Sequence, residues 1–101
     1  MVRFSAEDFR RILTKIRGLK ARVYFYFKDF KYLLTIDGLV RARDKNFDVV
    51  SWSIVFGSKT PHEVLNSLNV EKVEVELKGE LNPLIFNSIE EFLKWLAQSS
   101  S

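Results

Sequence analysis

Apolar residues recur at helical or strand spacing along most of the chain. Phe9, Ile12, Leu13 and Ile16 fall at i, i+3, i+4 and i+7, one stripe of an amphipathic helix. Ser5 stands at its N-cap with Asp8 three residues on, a capping box in which Asp replaces the usual Glu. Phe4 and Phe9 occupy the staple positions, and Gly18 marks the end. From Ala21 the period changes to two. Ala21–Phe27, Phe30–Ile36, Leu39–Arg43 and Phe47–Phe56 read as a four-strand meander, with turns at Lys28-Asp29, Asp37-Gly38 and Asp44-Lys45-Asn46. Thr60, Pro61 and Glu63 start a second helix, whose short apolar face is Val64, Leu65 and Leu68. Glu71–Lys78 alternates cleanly, Val73, Val75 and Leu77 against Lys72, Glu74, Glu76 and Lys78. A short strand is expected at Leu84-Ile85-Phe86. Ser88 then opens a last helix with its stripe on Ile89, Phe92, Leu93 and Leu96.

Helix, meander, helix, one or two strands, helix predicts a two-layer α+β fold: a mostly antiparallel sheet with three helices on one face. Residues 1–98 are expected to form one domain, with 99–101 as a disordered tail. The question for function is then what the uncovered face of the sheet displays.

A two-residue Asp37-Gly38 turn pairs Ile36 with Leu39, Leu34 with Arg41 and Tyr32 with Arg43. Arginines belong in water, so Tyr32, Arg41 and Arg43 are expected on the open face, with Leu34, Ile36 and Leu39 as an apolar contact patch beside them. On the first strand Val23, Phe25 and Phe27 go inward, and Arg22, Tyr24, Tyr26 and Lys28 point away from the main core. The loop around Lys28-Asp29-Phe30 decides whether the two sets meet. An odd loop or a bulge puts them on one face, whereas an even loop puts Phe25 and Phe27 on the Tyr32 face. Ser51 and Ser53 join the outward set if Trp52 faces inward. On the odd-loop alternative this face has no mid-strand carboxylate.

Charge sharpens the picture. The formal net charge of +3 hides a split: residues 1–45 carry 12 Lys and Arg against 5 Asp and Glu, a balance of +7, and the remainder carries −4. Aromatics interleaved with cations on an open sheet suit single-stranded nucleic acid, whose bases stack on tyrosine rings while phosphates meet Arg and Lys. The expected contacts are Arg22, Tyr24, Tyr26, Tyr32, Arg41 and Arg43 on the sheet. Arg10, Arg11, Lys15 and Arg17 on the first helix are expected to meet phosphates. The same residue types mark protein interfaces, so the alternative is a protein-interaction or homo-oligomerising subunit that uses the same face, its partner a second copy or an acidic protein. Tyr, Ser and Arg are also ordinary on solvent-facing strands.

Composition removes most other classes. With 47% hydrophobic and 29% charged residues the chain is neither disordered nor fibrous. It has no cysteine, hence no disulfide scaffold, thiolate metal site or thiol nucleophile. No apolar run has the length of a bilayer span, and Met1–Ser5 opens no signal peptide, so a soluble cytoplasmic protein is expected. His62 is the only histidine and sits in a helix first turn. Gly57-Ser58-Lys59-Thr60 lacks the glycine and Gly-Lys order of a phosphate loop. Asp37, Asp44 and Asp48 could meet at one end of the meander around a divalent cation, but turn chemistry already explains Asp37 and Asp44. A non-enzymatic binding domain without cofactor or metal is the resulting expectation.

Overall fold

A computed structural model describes residues 3–99. Its elements are α1 (Ala6–Leu19), β1 (Arg22–Phe27), β2 (Tyr32–Ile36), β3 (Val40–Asp44), β4 (Val49–Val50), α2 (Trp52–Phe56), α3 (Pro61–Ser67), β5 (Val70–Glu76), β6 (Leu84–Phe86) and α4 (Ile89–Ser99). All six strands are antiparallel, in the order β4-β3-β2-β1-β5-β6. The fold is therefore the expected two-layer α+β arrangement. Val23, Phe25, Phe27, Leu34, Ile36, Val73 and Val75 line the inner face of the sheet. Phe9, Ile12 and Ile16 of α1, Val64 and Leu65 of α3, and Phe92 and Leu96 of α4 pack against them.

Local chemistry sets the helix boundaries. The Ser5 hydroxyl accepts from the Asp8 N–H and the Asp8 carboxylate accepts from the Ser5 N–H, both at 3.0 Å. Lys20 then adopts a left-handed conformation and closes α1 by donating back to Ile16 and Arg17. At α3 the Glu63 carboxylate accepts from the Thr60 N–H at 2.8 Å. Of the expected tail, Ser99 belongs to α4, and residues 100 and 101 lie outside the described residues.

Two local expectations are corrected. The expected long fourth strand is two short elements, β4 and the single-turn helix α2. Val50, Trp52, Ile54 and Phe56 alternate like a strand, but Trp52, Val55 and Phe56 also fall at helical spacing. The helix buries Phe56 and leaves Ile54 83% exposed, and Ser51 becomes its N-cap. The second correction concerns the Asp37-Gly38 turn. It includes Leu39, and the register is Ile36↔Val40, Leu34↔Ala42 and Tyr32↔Asp44. Only Gly38 takes a positive φ there, so the two-residue turn, which needs φ > 0 at both central residues, does not form. The one-residue shift brings Val40 and Ala42 to the core face and turns Arg41 and Arg43 outward. It also buries Leu34 and Ile36 completely, so the expected patch with Leu39 does not exist. β5 lies between β1 and β6.

Candidate interaction face of the sheet

The register places Arg22, Tyr24 and Tyr26 of β1 on the open face. Beside them run Leu33 and Thr35 of β2, Arg41 and Arg43 of β3, and Lys72, Glu74 and Glu76 of β5. Tyr24 and Tyr26 thus share a face with Arg41 and Arg43, the outcome expected of an odd loop, but by a different route. The β1–β2 loop puts Phe25 and Phe27 on the Tyr32 face, and the three-residue turn then moves the arginines back across the sheet. Tyr32 is lost from the site. It lies on the helix side, edge-on to Phe30 at 5.9 Å between ring centroids. Ser51 and Ser53 leave with the lost strand.

The open face is a second, smaller packed layer. Leu33 and Thr35 are fully buried although no helix covers them. Arg43 builds much of the cover. Its Nε donates to the Thr35 hydroxyl at 3.1 Å, Nη1 to the Phe47 carbonyl at 2.7 Å, and Nη2 to the Asp37 carboxylate at 2.8 Å. The Thr35 hydroxyl in turn donates to the Arg41 carbonyl at 3.3 Å. Phe47 stands at φ 67°, a left-handed conformation unfavourable for a bulky side chain. The Asp44 carboxylate holds that loop by accepting from the N–H groups of Asn46 and Asp48. The result presents the Phe47 ring, 44% exposed, edge-on to Tyr24 at 5.4 Å. By its sequence Phe47 starts a strand, and only its positive φ reveals its role.

The tyrosines differ in environment. The Tyr24 hydroxyl donates to Glu76 Oε1 at 2.8 Å. Burial, and then Glu76 as bond partner and charge, push its pKa up to about 12. Tyr26 carries the Lys72 ammonium 4.1 Å and the Lys45 ammonium 5.7 Å from its ring centroid. Its pKa is also raised, by burial first and then by Glu74 and Glu76. The two glutamates overturn the expectation of a face without mid-strand carboxylates. The alternation of β5 disclosed the outward set Lys72, Glu74 and Glu76. That this set stands beside the tyrosines depends on strand order, a long-range property. Val49 of β4 and Ile85 of β6, each 54% exposed, complete the face at its two edges.

The four cations of α1 do not join this site. The core-facing stripe of α1 fixes its outer side on the far surface of the helix layer. Arg11 pairs there with Glu7 at 3.0 Å and with Asp8 at 4.0 Å. Arg17 donates twice to the Gly38 carbonyl, at 3.0 and 2.8 Å, tying the end of α1 to the β2–β3 turn. Arg10 and Lys15 have no carboxylate within salt-bridge distance among the described residues. The basic half of the sequence is therefore two surfaces on opposite sides of the molecule. His62 Nδ1 sits 3.0 Å from the Thr60 hydroxyl in the first turn of α3.

Among the described residues no three His, Cys, Asp or Glu side chains gather as a metal site, and no helix is long and apolar enough to cross a membrane. No protein-family model, curated protein or solved structure matches this chain.

Proposed function

We propose that the protein is a non-enzymatic binding module of the cytoplasm that docks another protein on the open face of its sheet. The observation that carries this is the built aromatic layer. Phe47 is held in a strained left-handed conformation by Arg43 and Asp44, where its ring adds to those of Tyr24 and Tyr26. Backbone strain of this kind persists where the surroundings enforce it, often at binding sites. Tyr and Arg are the residues that anchor protein interfaces. Alternating charges across the face, Arg22, Arg41 and Lys72 against Glu74 and Glu76, suit a protein surface of mixed sign. They suit a continuous phosphate track less well.

Nucleic acid remains a second reading on a specific observation, the two ammonium groups around the Tyr26 ring together with the basic outer side of α1. Hydroxyl-radical footprinting separates the readings. Tyr24, Tyr26 and Phe47 should be oxidised in the dilute pure protein and protected in an extract of its own cells. Protection that survives nuclease supports a protein partner, and protection that nuclease abolishes supports nucleic acid. If these rings react equally in both settings, the sheet face is not the working surface.

A further inference from the structure

We infer that β6 pairs edge to edge with β6 of a second copy of this chain, antiparallel and centred on Ile85, so that the two sheets run together as one. The inference goes beyond the docking role of the open face and does not depend on it.

It begins with the two edges of the sheet, β4 and β6. An unpaired edge strand offers free N–H and C=O groups to any extended chain, and proteins commonly blunt it with charge, a bulge or a very short strand. The backbone blunts β4. Phe47 stands in a left-handed conformation shortly before it, and Ser51 caps α2 directly after it, so only Val49 and Val50 pair. β6 has no charge to protect it. Residues 81–89 hold no Lys, Arg, Asp or Glu, in a chain that is 29% charged. Leu81, Leu84 and Ile85 of this stretch are exposed. β6 is thus the edge open to growth, and a pairing that uses it on both copies closes at two.

The residues of β6 suit a partner identical to itself. The ladder with β5 turns Leu84 and Phe86 to the helix side, and Ile85, beside Glu74, to the open face. On the helix side the two ends of the strand are unequal. Phe86 packs on α4, 5.5 Å from Trp95 and 6.0 Å from Phe92 between ring centroids. Leu84 is less well covered and remains 36% exposed. Antiparallel pairing about Ile85 sets Leu84 of each copy opposite Phe86 of the other, so the bare end of one strand meets the aromatic end of the next. Ile85 meets its own counterpart, where the two-fold axis stands perpendicular to the sheet.

The charges nearest this seam stay apart. The Glu74 side chains of the two copies are three strand spacings apart, about 14 Å, beyond the ~8 Å screening length at physiological salt. Glu80 and Glu90 would oppose each other in a longer ladder, but the chain bends at 81–82 and 87–88 before reaching them. With the axis perpendicular to the sheet, both open faces point the same way and stay uncovered. The dimer therefore presents Tyr24, Tyr26 and Phe47 twice to a docked protein.

The test is sedimentation equilibrium of the full chain, with a protomer mass of 11.8 kDa. The wild type should show a monomer–dimer equilibrium that high salt does not weaken, since the seam has no ion pair. Ile85→Lys and Ile85→Glu should each weaken dimerisation by at least about tenfold, because each sets a charge against itself at the axis. Mixing the two variants should restore association to within about threefold of the wild type, since position 85 then meets its opposite. Ile54→Lys and Val49→Lys, at exposed apolar positions away from β6, should leave it unchanged. A second measurement does not depend on charge. The chain has no cysteine, and facing residues of an antiparallel pair have Cα atoms about 4.5–5.5 Å apart, within disulfide reach. Under oxidised glutathione Ile85→Cys should cross-link two copies at least about tenfold faster than Val49→Cys, which is equally exposed at 54%.

A wild type that remains monomeric at its highest attainable concentration overturns the inference. It leaves the docking role standing, because footprinting of Tyr24, Tyr26 and Phe47 reads the open face and not the edge. A dimer indifferent to charge at position 85, or one whose two variants do not recover on mixing, places self-association elsewhere and also overturns the inference. So does equal cross-linking through positions 85 and 49.

Discussion

Tyr24 concentrates the properties of the face in one side chain. Its ring meets Phe47 edge-on, and its hydroxyl donates to Glu76 across the β1–β5 ladder. Both the partial burial of the phenol and the adjacent carboxylate disfavour the phenolate, which is why the pKa rises from 10.0 to about 12. The sign of the linkage follows. The folded state holds this proton more tightly than the unfolded chain does. Its contribution to stability is present in full below about pH 10, the unfolded value, and is lost as pH climbs through about 12. Tyrosinate absorbance of the native protein should therefore retain a component titrating near 12, and Tyr24→Phe should lack it. Glu76→Gln should move that component down without returning it to 10, because burial is the larger cause. A wild-type titration complete by pH 11 would contradict the Tyr24–Glu76 geometry.

At the scale of elements, one side chain joins four pieces of chain. Arg43 projects from β3 and binds Thr35 of β2, Asp37 of the following turn and the Phe47 carbonyl of the next loop. Its side chain is 17% exposed and that of Asp37 23%, so this pair is shielded well beyond an ordinary surface bridge. Arg43→Met keeps the length and removes every hydrogen bond. It should cost about 1–3 kcal/mol in urea unfolding, mostly from leaving Asp37 and the Phe47 carbonyl without their donor. A neutral result would mean that the loop is held without Arg43. The sequence announced the fold class and most elements because those depend on local period and caps: Ser5 with Asp8, Thr60 with Glu63, the stripe from Phe9 to Ile16. It missed what depends on the chain beyond a few neighbours. Residues 52–56 fit both periods, and only packing of Phe56 against Phe27 and Phe30 selects the helix. Asp37-Gly38 satisfies a two-residue turn locally, yet burial of Val40 and Ala42 outweighs it. The candidate site was legible as residue types on β1 and β3. Its acidic half was not, since nothing local says that β5 docks beside β1.

The whole molecule has two chemically different sides, and this separates the two binding readings. On the helix side, Arg10, Arg11, Lys15 and Arg17 project from α1, but Glu7 and Asp8 offset Arg11. On the sheet side, cations and glutamates alternate among aromatic rings. A polyanion bound along α1 alone would neutralise roughly two to four phosphates, giving a slope of log affinity against log salt of about −1.4 to −2.8 for a single strand. Fluorescence anisotropy of labelled single-stranded RNA, single-stranded DNA and duplex DNA at several salt concentrations measures that slope. The proposed division of labour makes the two sides independent. Arg10→Glu with Lys15→Glu should weaken any nucleic-acid binding and leave the protection of Tyr24 and Phe47 in extract unchanged. Tyr26→Ser should reduce that protection and leave nucleic-acid binding unchanged. The opposite pattern, with single-strand binding lost on Tyr26→Ser and a slope steeper than −4, would require more phosphate contacts than α1 can make. The tyrosine strand would then be part of the nucleic-acid path, and Glu74 and Glu76 of the neighbouring β5 would have to act as acceptors for base edges rather than as partners for cations of a docked protein.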